Sequence, residues 1–335
     1  EEALNKVETL QESNIFPPQV TLAAYHLREQ GKLLQGSLLP FTIPTGKEVF
    51  KELIFNPNKI QEKESNGRGL SVSFQDISVS YRSVKGEPKK IYEHLNLDLY
   101  KGEKIALIGS NGAGKSTLMK LMTGLVKPNE GEIYLKNISV GDTKPERLSR
   151  YVSMVYQNPE DMFIMDSIES DIAYAMKVRD VEDWQERTSG LLERFRLTDI
   201  KDRDGRLLSG GQMRRASLAI GVALCPEILL LDEPTANLDI ATRKEIMKTL
   251  KDMEDVTDTV MIATHDMQLV SEWAERIIVL DQGRVIADGS RNEVFGNKTV
   301  VEKAGIRPPE IFSMGKALHE DAFCYTVEEF LQSFV

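Results

Sequence analysis

Short apolar runs alternate in the middle of this chain with stretches whose apolar residues recur at helical spacing. The runs cover residues 104–108, 228–232 and 260–264, and nearly every position in them is apolar. That pattern is typical of strands buried on both faces of a parallel sheet. Helix-like stretches follow the first run at 118–122 and precede the second at 213–220. The chain is therefore predicted to have an α/β fold around a mostly parallel sheet.

A complete G-x-x-x-x-G-K-S phosphate loop separates the first predicted strand from the helix that follows it. This strand, loop and helix context is the one in which the motif binds nucleotides. Glycines let successive backbone N–H groups face the phosphates. We expect the Lys115 ammonium to reach the β- and γ-phosphates and the Ser116 hydroxyl to coordinate Mg²⁺. The predicted ATP-binding residues of the loop are Gly109, Ser110, Asn111, Gly112, Ala113, Gly114, Lys115, Ser116 and Thr117.

Chemically active side chains follow the other two apolar runs. Asp232 and Glu233 end the second run, and His265 comes directly after the third. Because the carboxyl ends of parallel strands meet at the edge where ligands bind, we expect the three side chains to lie near the phosphate loop. Asp232 is predicted to hold Mg²⁺, Glu233 to polarise the attacking water and His265 to hydrogen-bond the γ-phosphate. A histidine after a strand is more often structural, and it is the neighbouring motifs that favour a catalytic role here.

The segment LSGGQ at 208–212, at the start of a helix-like stretch, resembles the signature motif of the ATP-binding-cassette ATPases. Its serine suits a helix N-cap, and the helix end and two glycines favour an anion. A plain glycine turn would explain the glycines but not the neighbouring motifs. The resemblance implies that the motif serves ATP on a second ATPase domain, either an identical chain or a fused or partner half. The signature residues predicted to bind this ATP are Ser209, Gly210, Gly211 and Gln212.

The resemblance extends over about residues 70–289 and implies further roles. Tyr81 matches the aromatic residue that stacks on adenine, although an ordinary strand tyrosine explains it nearly as well. Gln157 matches the glutamine that touches Mg²⁺ and links the nucleotide to the segment that contacts a membrane partner. The predicted catalytic residues are therefore Glu233, His265, Gln157 and Lys115, and the predicted Mg²⁺ ligands are Ser116, Gln157 and Asp232.

Composition is consistent with an ATPase of this kind. The chain has 335 residues, of which 41% are hydrophobic and 28% charged, and its net charge of −10 argues against broad nucleic-acid binding. Apolar runs stay far below the roughly 18 residues of a membrane helix, so any transport requires separate membrane subunits. The two cysteines, Cys225 and Cys324, lack the spacing of a metal site.

The two ends of the chain carry an internal repeat. IFPPQV at 15–20 recurs as IRPPEI at 306–311, and TGKEVF at 45–50 parallels TVEEFL at 326–331, both beginning as a T-x-x-E capping box. Repeats this far apart indicate tandem domains rather than a solenoid. The alternative is that two Pro-Pro segments arose independently.

The repeat predicts a domain organisation. In it, a tail-like segment of a preceding ATPase unit covers 1–56, a linker 57–69, the ATPase domain 70–300 and a tail subdomain 301–335. The two repeats should share a local fold. We expect the first copy to lack a packing partner, because its own ATPase domain is absent, and the tail to form a separate small unit. Within the ATPase domain we expect an antiparallel β region at 70–99 and a helical subdomain at 165–206.

The tail and the QNPED stretch at 157–161 resemble the ATPase subunits of energy-coupling-factor transporters, which import vitamins and metal ions. That resemblance implies ATP and Mg²⁺ as cofactors and a peripheral position on the cytoplasmic face of the membrane. It also implies three partners: a second ATPase domain, a membrane scaffold subunit and a substrate-binding membrane subunit. Two alternatives are a soluble cassette protein acting on ribosomes or DNA and the ATPase of an efflux transporter.

Overall fold

The computed structural model describes residues 6–13, 15–33, 38–57, 68–82, 87–253 and 257–335. The strands are β1 (Leu70–Tyr81), β2 (Lys89–Tyr100), β3 (Lys104–Gly109), β4 (Glu130–Leu135), β5 (Ile138–Ser139), β6 (Val152–Val155), β7 (Ile228–Asp232), β8 (Thr259–Ala263), β9 (Arg276–Asp281) and β10 (Arg284–Gly289). The helices are α1 (Val7–Glu12), α2 (Gln19–Glu29), α3 (Ile43–Phe50), α4 (Lys115–Met122), α5 (Pro145–Leu148), α6 (Ile168–Val178), α7 (Trp184–Arg194), α8 (Gly210–Val222), α9 (Ile240–Asp252), α10 (Met267–Trp273), α11 (Arg291–Phe295), α12 (Lys298–Lys303), α13 (Glu310–Leu318) and α14 (Val327–Ser333). The predicted linker, 57–69, lies largely outside the described residues.

A six-stranded sheet carries the phosphate loop at its centre. The strand order is β10-β9-β3-β8-β7-β6, and each neighbouring pair is parallel except β10 with β9. Successive residues of a buried strand point to opposite faces. Accordingly, Leu229 and Leu231 enter a core shared with helices, whereas Leu230 enters a second core on the opposite face. The sheet confirms the predicted mostly parallel α/β fold, and burial on both faces explains why the central strands are largely apolar.

The second core lies between this sheet and a four-stranded antiparallel sheet of order β2-β1-β4-β5. The first two of its strands occupy the region predicted to be antiparallel, 70–99. The strands β4 and β5 were not predicted. Helix α4 starts at the phosphate loop. Its Leu118, Met119 and Met122 pack in this core and hold the helix in place.

Helices α6 and α7 form the predicted helical subdomain. Short 3₁₀ turns at 198–200 and 205–207 follow them and lead to α8. Ile172 and Met176 from α6 and Leu192 from α7 pack in the same core as the inner face of α8. No helix within the described ranges is both long and apolar enough to cross a bilayer.

The N-terminal segment and the C-terminal tail form one helical unit, which we call the tail unit. The prediction of a separate tail beside an unpartnered segment is therefore wrong, because the apolar faces of the two repeats cover each other. The tail also touches the ATPase domain, since Phe312 and Tyr325 belong to that domain's helical core. The shared core of the tail unit includes Val20, Ala23, Ala24, Leu27, Phe50, Ile311, Met314, Cys324, Phe330 and Phe334.

The two repeats have the same local arrangement. In each, a Pro-Pro pair leads into a first helix, α2 or α13, and a threonine caps a second, α3 or α14. The cap of α3 is Thr42 and not Thr45, so the predicted capping box begins three residues too late. Pro44 explains the difference, because proline fits the first helical turn, where its missing N–H is not needed.

Contacts between the repeats are reciprocal. The first helix of each repeat packs against the second helix of the other, α2 on α14 and α13 on α3. Two hydrogen bonds between the repeats are reciprocal in the same way. The backbone N–H of Val20 donates to Glu310 Oε2 over 3.3 Å, and that of Ile311 donates to Gln19 Oε1 over 3.1 Å. The tail unit therefore has the form of a two-fold dimer built within one chain.

Candidate nucleotide site

The phosphate loop is held in shape by close contacts below it. A Cβ at Gly109 would lie 2.2 Å from the Leu280 carbonyl oxygen, and one at Gly114 would lie 2.5 Å from the Tyr92 hydroxyl. Gly114 has a φ of 114°, a backbone conformation that favours glycine. The buried Tyr92 hydroxyl donates to the Gly114 carbonyl over 2.8 Å. No local sequence pattern predicts this contact, because Tyr92 comes from the distant strand β2.

The Lys115 side chain folds back onto the loop. Its Nζ donates to the carbonyl oxygens of Gly109 over 2.6 Å and Ser110 over 3.3 Å, and it lies 3.2 Å from His265 Nε2. Burial lowers the pKa of this ammonium by removing water, and the nearby carboxylates of Glu233 and Asp232 partly offset that effect. Phosphate oxygens would replace these carbonyl acceptors and favour the charged form.

The Glu233 carboxylate follows the end of β7, and its two oxygens have different surroundings. The backbone N–H of His265 donates to Oε2 over 3.2 Å. Oε1 lies 3.3 Å from His265 Nε2, within ion-pair distance, but it is buried and has no hydrogen bond. Glu233 has a φ of 47°, and its N–H bonds to the Ala263 carbonyl of β8, so the backbone turns here and directs the side chain away from the strand. Oε1 therefore has a lone pair that no hydrogen bond among the described residues uses, and it faces the His265 ring.

His265 bridges the carboxylate and the phosphate loop. Its Nε2 lies 3.0 Å from Asn111 Oδ1 as well as close to Lys115. A contact with Asn111 Oδ1 requires a proton on Nε2, whereas accepting from Lys115 requires a lone pair there. Only one of the two is a hydrogen bond at a time, so the ring can exchange partners when a phosphate enters.

One open cavity of about 640 Å³ brings most of the predicted site together. Tyr81 does not line it, but the Tyr81 hydroxyl lies 3.3 Å from Thr117 Oγ1 beside the loop. Its adenine contact stays a prediction. Lining residues that the sequence analysis had named are Asn111, Gly112, Gly114, Lys115, Ser116, Thr117, Gln157, Asp232, Glu233 and His265.

The donor set in this cavity suits Mg²⁺. Ser116, Gln157 and Asp232 offer a hydroxyl, an amide carbonyl and a carboxylate, and hard oxygen donors are what Mg²⁺ binds. Within the described ranges there is no cluster of three or more His, Cys, Asp and Glu side chains that could form an all-protein site. Mg²⁺ usually keeps several waters and binds one or two carboxylates together with substrate phosphates.

Asp266 was not predicted from the sequence, although it lines the same cavity. Its carboxylate caps α10, accepts from Thr235 Oγ1 over 3.1 Å and lies 3.3 Å from Arg243 Nε. Asp266, the residue after His265, thus links the loop that follows Glu233 to helix α9. A sequence signal existed, because an aspartate directly before a helical stretch is a typical N-cap.

The signature motif lies apart from this cavity. Ser209 caps α8 in a reciprocal capping box with Gln212 and, like Gly210, is exposed. None of the four predicted signature residues is among those lining the nucleotide cavity in the described part of the chain. Ser209 and Gly210 are therefore open to solvent at the helix end, as expected for a motif that serves ATP on another domain, whereas Gly211 lies against Thr242 of α9.

Comparisons with known proteins agree with this geometry. Residues 92–236 match the family model described as ABC transporter. The energy-coupling factor transporter ATP-binding protein EcfA2 of Clostridium tetani is 34% identical over 272 residues, which cover 78% of this chain and 94% of that protein. EcfA2 of Methanospirillum hungatei is 35% identical over 229 residues, covering 67% of this chain but only 58% of the relative.

Two solved structures have a similar fold. One is cbiO1 from Clostridium perfringens, described as part of the ABC transporter complex cbiONQ. It has 30% identity and a TM-score of 0.60 and covers 72% of this chain and 97% of that one. The other is a dimer of the ATP-binding cassette MJ0796 with ADP and Pi, with 28% identity, a TM-score of 0.59 and coverage of 65% and 98%. They confirm the predicted class of fold.

Proposed function

The chain belongs to the ABC transporter family of ATPases, and on that premise we propose that it is the ATP-hydrolysing motor subunit of an energy-coupling-factor importer. The observation that carries the ATPase assignment is the single cavity that joins Lys115, Ser116, Asp232, Glu233 and His265. The similarity to EcfA proteins and to cbiO1 favours the importer class.

Each of these cavity residues has a separate role in hydrolysis. Lys115 exchanges its loop carbonyls for phosphate oxygens, which keeps its charge where negative charge develops. Glu233 Oε1 accepts the proton of the attacking water, and His265 holds the γ-phosphate. Mg²⁺, when bound by Ser116, Asp232 and Gln157, neutralises charge on the phosphates. A second cassette completes the site with its signature motif, since that of this chain faces outward.

The exposed apolar side chains of the helical subdomain form the proposed contact with a membrane scaffold subunit at the cytoplasmic face. Tyr174 and Val178 are four residues apart on α6 and are 43% and 63% exposed. Ile164, just before α6, is 60% exposed. Exposed apolar side chains one helical turn apart favour a docking role.

Capture of the native complex, followed by mass spectrometry, tests this function. We expect integral membrane subunits to co-purify with the chain, and to be lost when Tyr174 and Val178 are both changed to Glu, because buried carboxylates would oppose docking. The ATPase rate of the isolated chain should not change. Leu125→Glu is the matched control, since Leu125 is 52% exposed but lies outside the helical subdomain. Capture of ribosomal or DNA-binding proteins instead would contradict the proposal.

We further propose that residues 1–56 are the tail of a preceding ATPase unit, which is the second cassette. Support comes from the reciprocal packing of the two repeats in the tail unit. Pairing of two identical C-terminal tails would place Glu310 opposite Glu310, whereas the observed pairing places Gln19 opposite Glu310. Like charges at such a contact oppose association, so the tail favours the N-terminal segment over a second copy of itself.

The length of the endogenous polypeptide tests the tandem proposal. An antibody against the C-terminal tail should capture a single chain whose intact mass includes a second cassette. Peptide mapping should place that cassette before residue 1. A control antibody against the helical subdomain of this chain should capture the same species. An endogenous polypeptide with no further cassette would overturn the proposal and leave the ATPase assignment untouched.

A further inference from the structure

Arg214 connects the signature helix to the segment that carries Gln157. It lies on α8, five residues after Ser209, and only 3% of it is exposed. Its guanidinium donates from Nη1 to the Tyr156 carbonyl over 3.1 Å and from Nη2 to the Gln157 carbonyl over 2.9 Å. Both carbonyls lie just after Val155, the last residue of β6, where no neighbouring strand in the described ranges provides their hydrogen-bond partners.

Packing alone does not explain a charged side chain at this position. Arg214 is almost fully buried, and its Nη1 and Nη2 donate to backbone carbonyls, which carry no formal charge. Its Nε is buried without a hydrogen bond. Burying a charge costs several kcal/mol unless it is well paired, and an apolar side chain of similar volume would avoid that penalty. A role that requires the two carbonyl contacts would account for the arginine.

The Gln157 end of this connection lines the nucleotide cavity, and the Arg214 end lines a neighbouring cavity. Arg214 and Gly210 line a cavity of about 570 Å³ beside the nucleotide cavity, and Gln157, Ser116 and Asp232 line both. A bidentate arginine fixes two carbonyls relative to its own helix more rigidly than a single donor can. The Arg214 hydrogen bonds therefore tie the backbone of Gln157 to the signature helix.

We propose that Arg214 is a positioning residue that holds the Gln157 amide at the metal site in step with the signature helix. The inference rests on the proposed ATP site and goes beyond it, because it assigns a role to a residue outside the motifs. It implies that metal affinity depends on a side chain that does not touch the metal. Effects of that kind are typically 10-fold to 100-fold for residues that orient a ligand.

The test compares Arg214→Met with Arg215→Met in a Glu233→Gln background, where ATP is not consumed. Arg215 is the matched control, because it is the next residue of the same helix but donates to the Phe195 carbonyl over 3.2 Å and to Glu245 Oε2 over 3.0 Å. We measure Mn²⁺ affinity in the presence of ATP by electron paramagnetic resonance. Amide exchange at 156–158 is followed by mass spectrometry.

We expect Arg214→Met to weaken Mn²⁺ binding about tenfold and to speed exchange at 156–158. Arg215→Met should change neither quantity. Arg214→Lys, which keeps the charge but has one donor group in place of the fork, should fall between Arg214→Met and the parent. If Gln157 transmits the effect, Arg214→Lys should add little to the loss caused by Gln157→Ala.

Unchanged Mn²⁺ affinity and exchange in Arg214→Lys and Arg214→Met would overturn the proposal, leaving Arg214 as a packing residue. Equal losses in the Arg214 and Arg215 variants would also overturn it. If Arg214→Met does not fold, the Arg214→Lys and Gln157→Ala comparison decides alone. Failure of the Glu233→Gln parent to bind Mn²⁺ with ATP would instead refute the ATP site itself.

Discussion

Glu233→Gln is expected to keep ATP binding and to slow hydrolysis by about 10²-fold or more, as the loss of a general base does. Oε1 of Glu233 has no hydrogen bond within the described part of the chain and lies 3.3 Å from His265 Nε2, and it is the oxygen that we propose takes the proton from water. The amide of glutamine has the same shape, but its NH₂ cannot accept that proton. Its carbonyl oxygen can still accept the His265 backbone N–H that Oε2 now accepts. Steady-state phosphate release and equilibrium binding of ATP measure the two effects separately.

Glu227→Gln is the control for this substitution. Glu227 precedes the same strand, β7, at its opposite end, and it forms an ion pair with Lys136 over 2.6 Å. Its replacement should leave both hydrolysis and binding near the parent values, because exposed ion pairs contribute about 0–1 kcal/mol. Wild-type hydrolysis by Glu233→Gln would show that another group acts as the base.

Local patterns were sufficient to predict the catalytic sheet edge. The strands that end at Asp232 and before His265 are largely apolar, and strand ends of a parallel sheet must lie together. The phosphate loop is also recognisable from the sequence, because its backbone conformation requires glycines at fixed spacing. These features depend on residues close in sequence, which is why Lys115, Glu233 and His265 could be placed in one cavity before the structure was considered.

Contacts between distant segments could not be predicted in the same way. Tyr92 clamps the loop from a strand more than twenty residues earlier, and Arg214 reaches back 57 residues to Gln157. Neither has a neighbouring motif that reveals its partner. The tail unit illustrates the same limit. The repeat in the sequence indicated two similar folds, but only the three-dimensional packing shows that α2 and α13 meet.

Ser209→Glu is expected to abolish the ATP-dependent dimer that Glu233→Gln forms. ATP trapped without hydrolysis should hold two cassettes together, each signature motif contacting the nucleotide on the other. A carboxylate at the exposed end of α8 is compatible with the helix dipole, so the fold should survive. It would place a negative charge where the γ-phosphate of the partner's ATP must bind. Light scattering with size-exclusion chromatography, with and without ATP, measures the loss.

Ser290→Glu separates this effect from the loss of a helix cap. Ser290 caps α11 through a capping box with Glu293, as Ser209 caps α8 with Gln212. Either substitution removes a cap, at a cost of about 1 kcal/mol. Only Ser209→Glu should prevent dimers, because only the signature motif faces another nucleotide. ATP binding to the monomer should be the same in both variants, since the phosphate loop is intact. A stable ATP-dependent dimer of the Ser209→Glu variant would mean that the exposed end of the signature motif serves some other purpose than a shared ATP site.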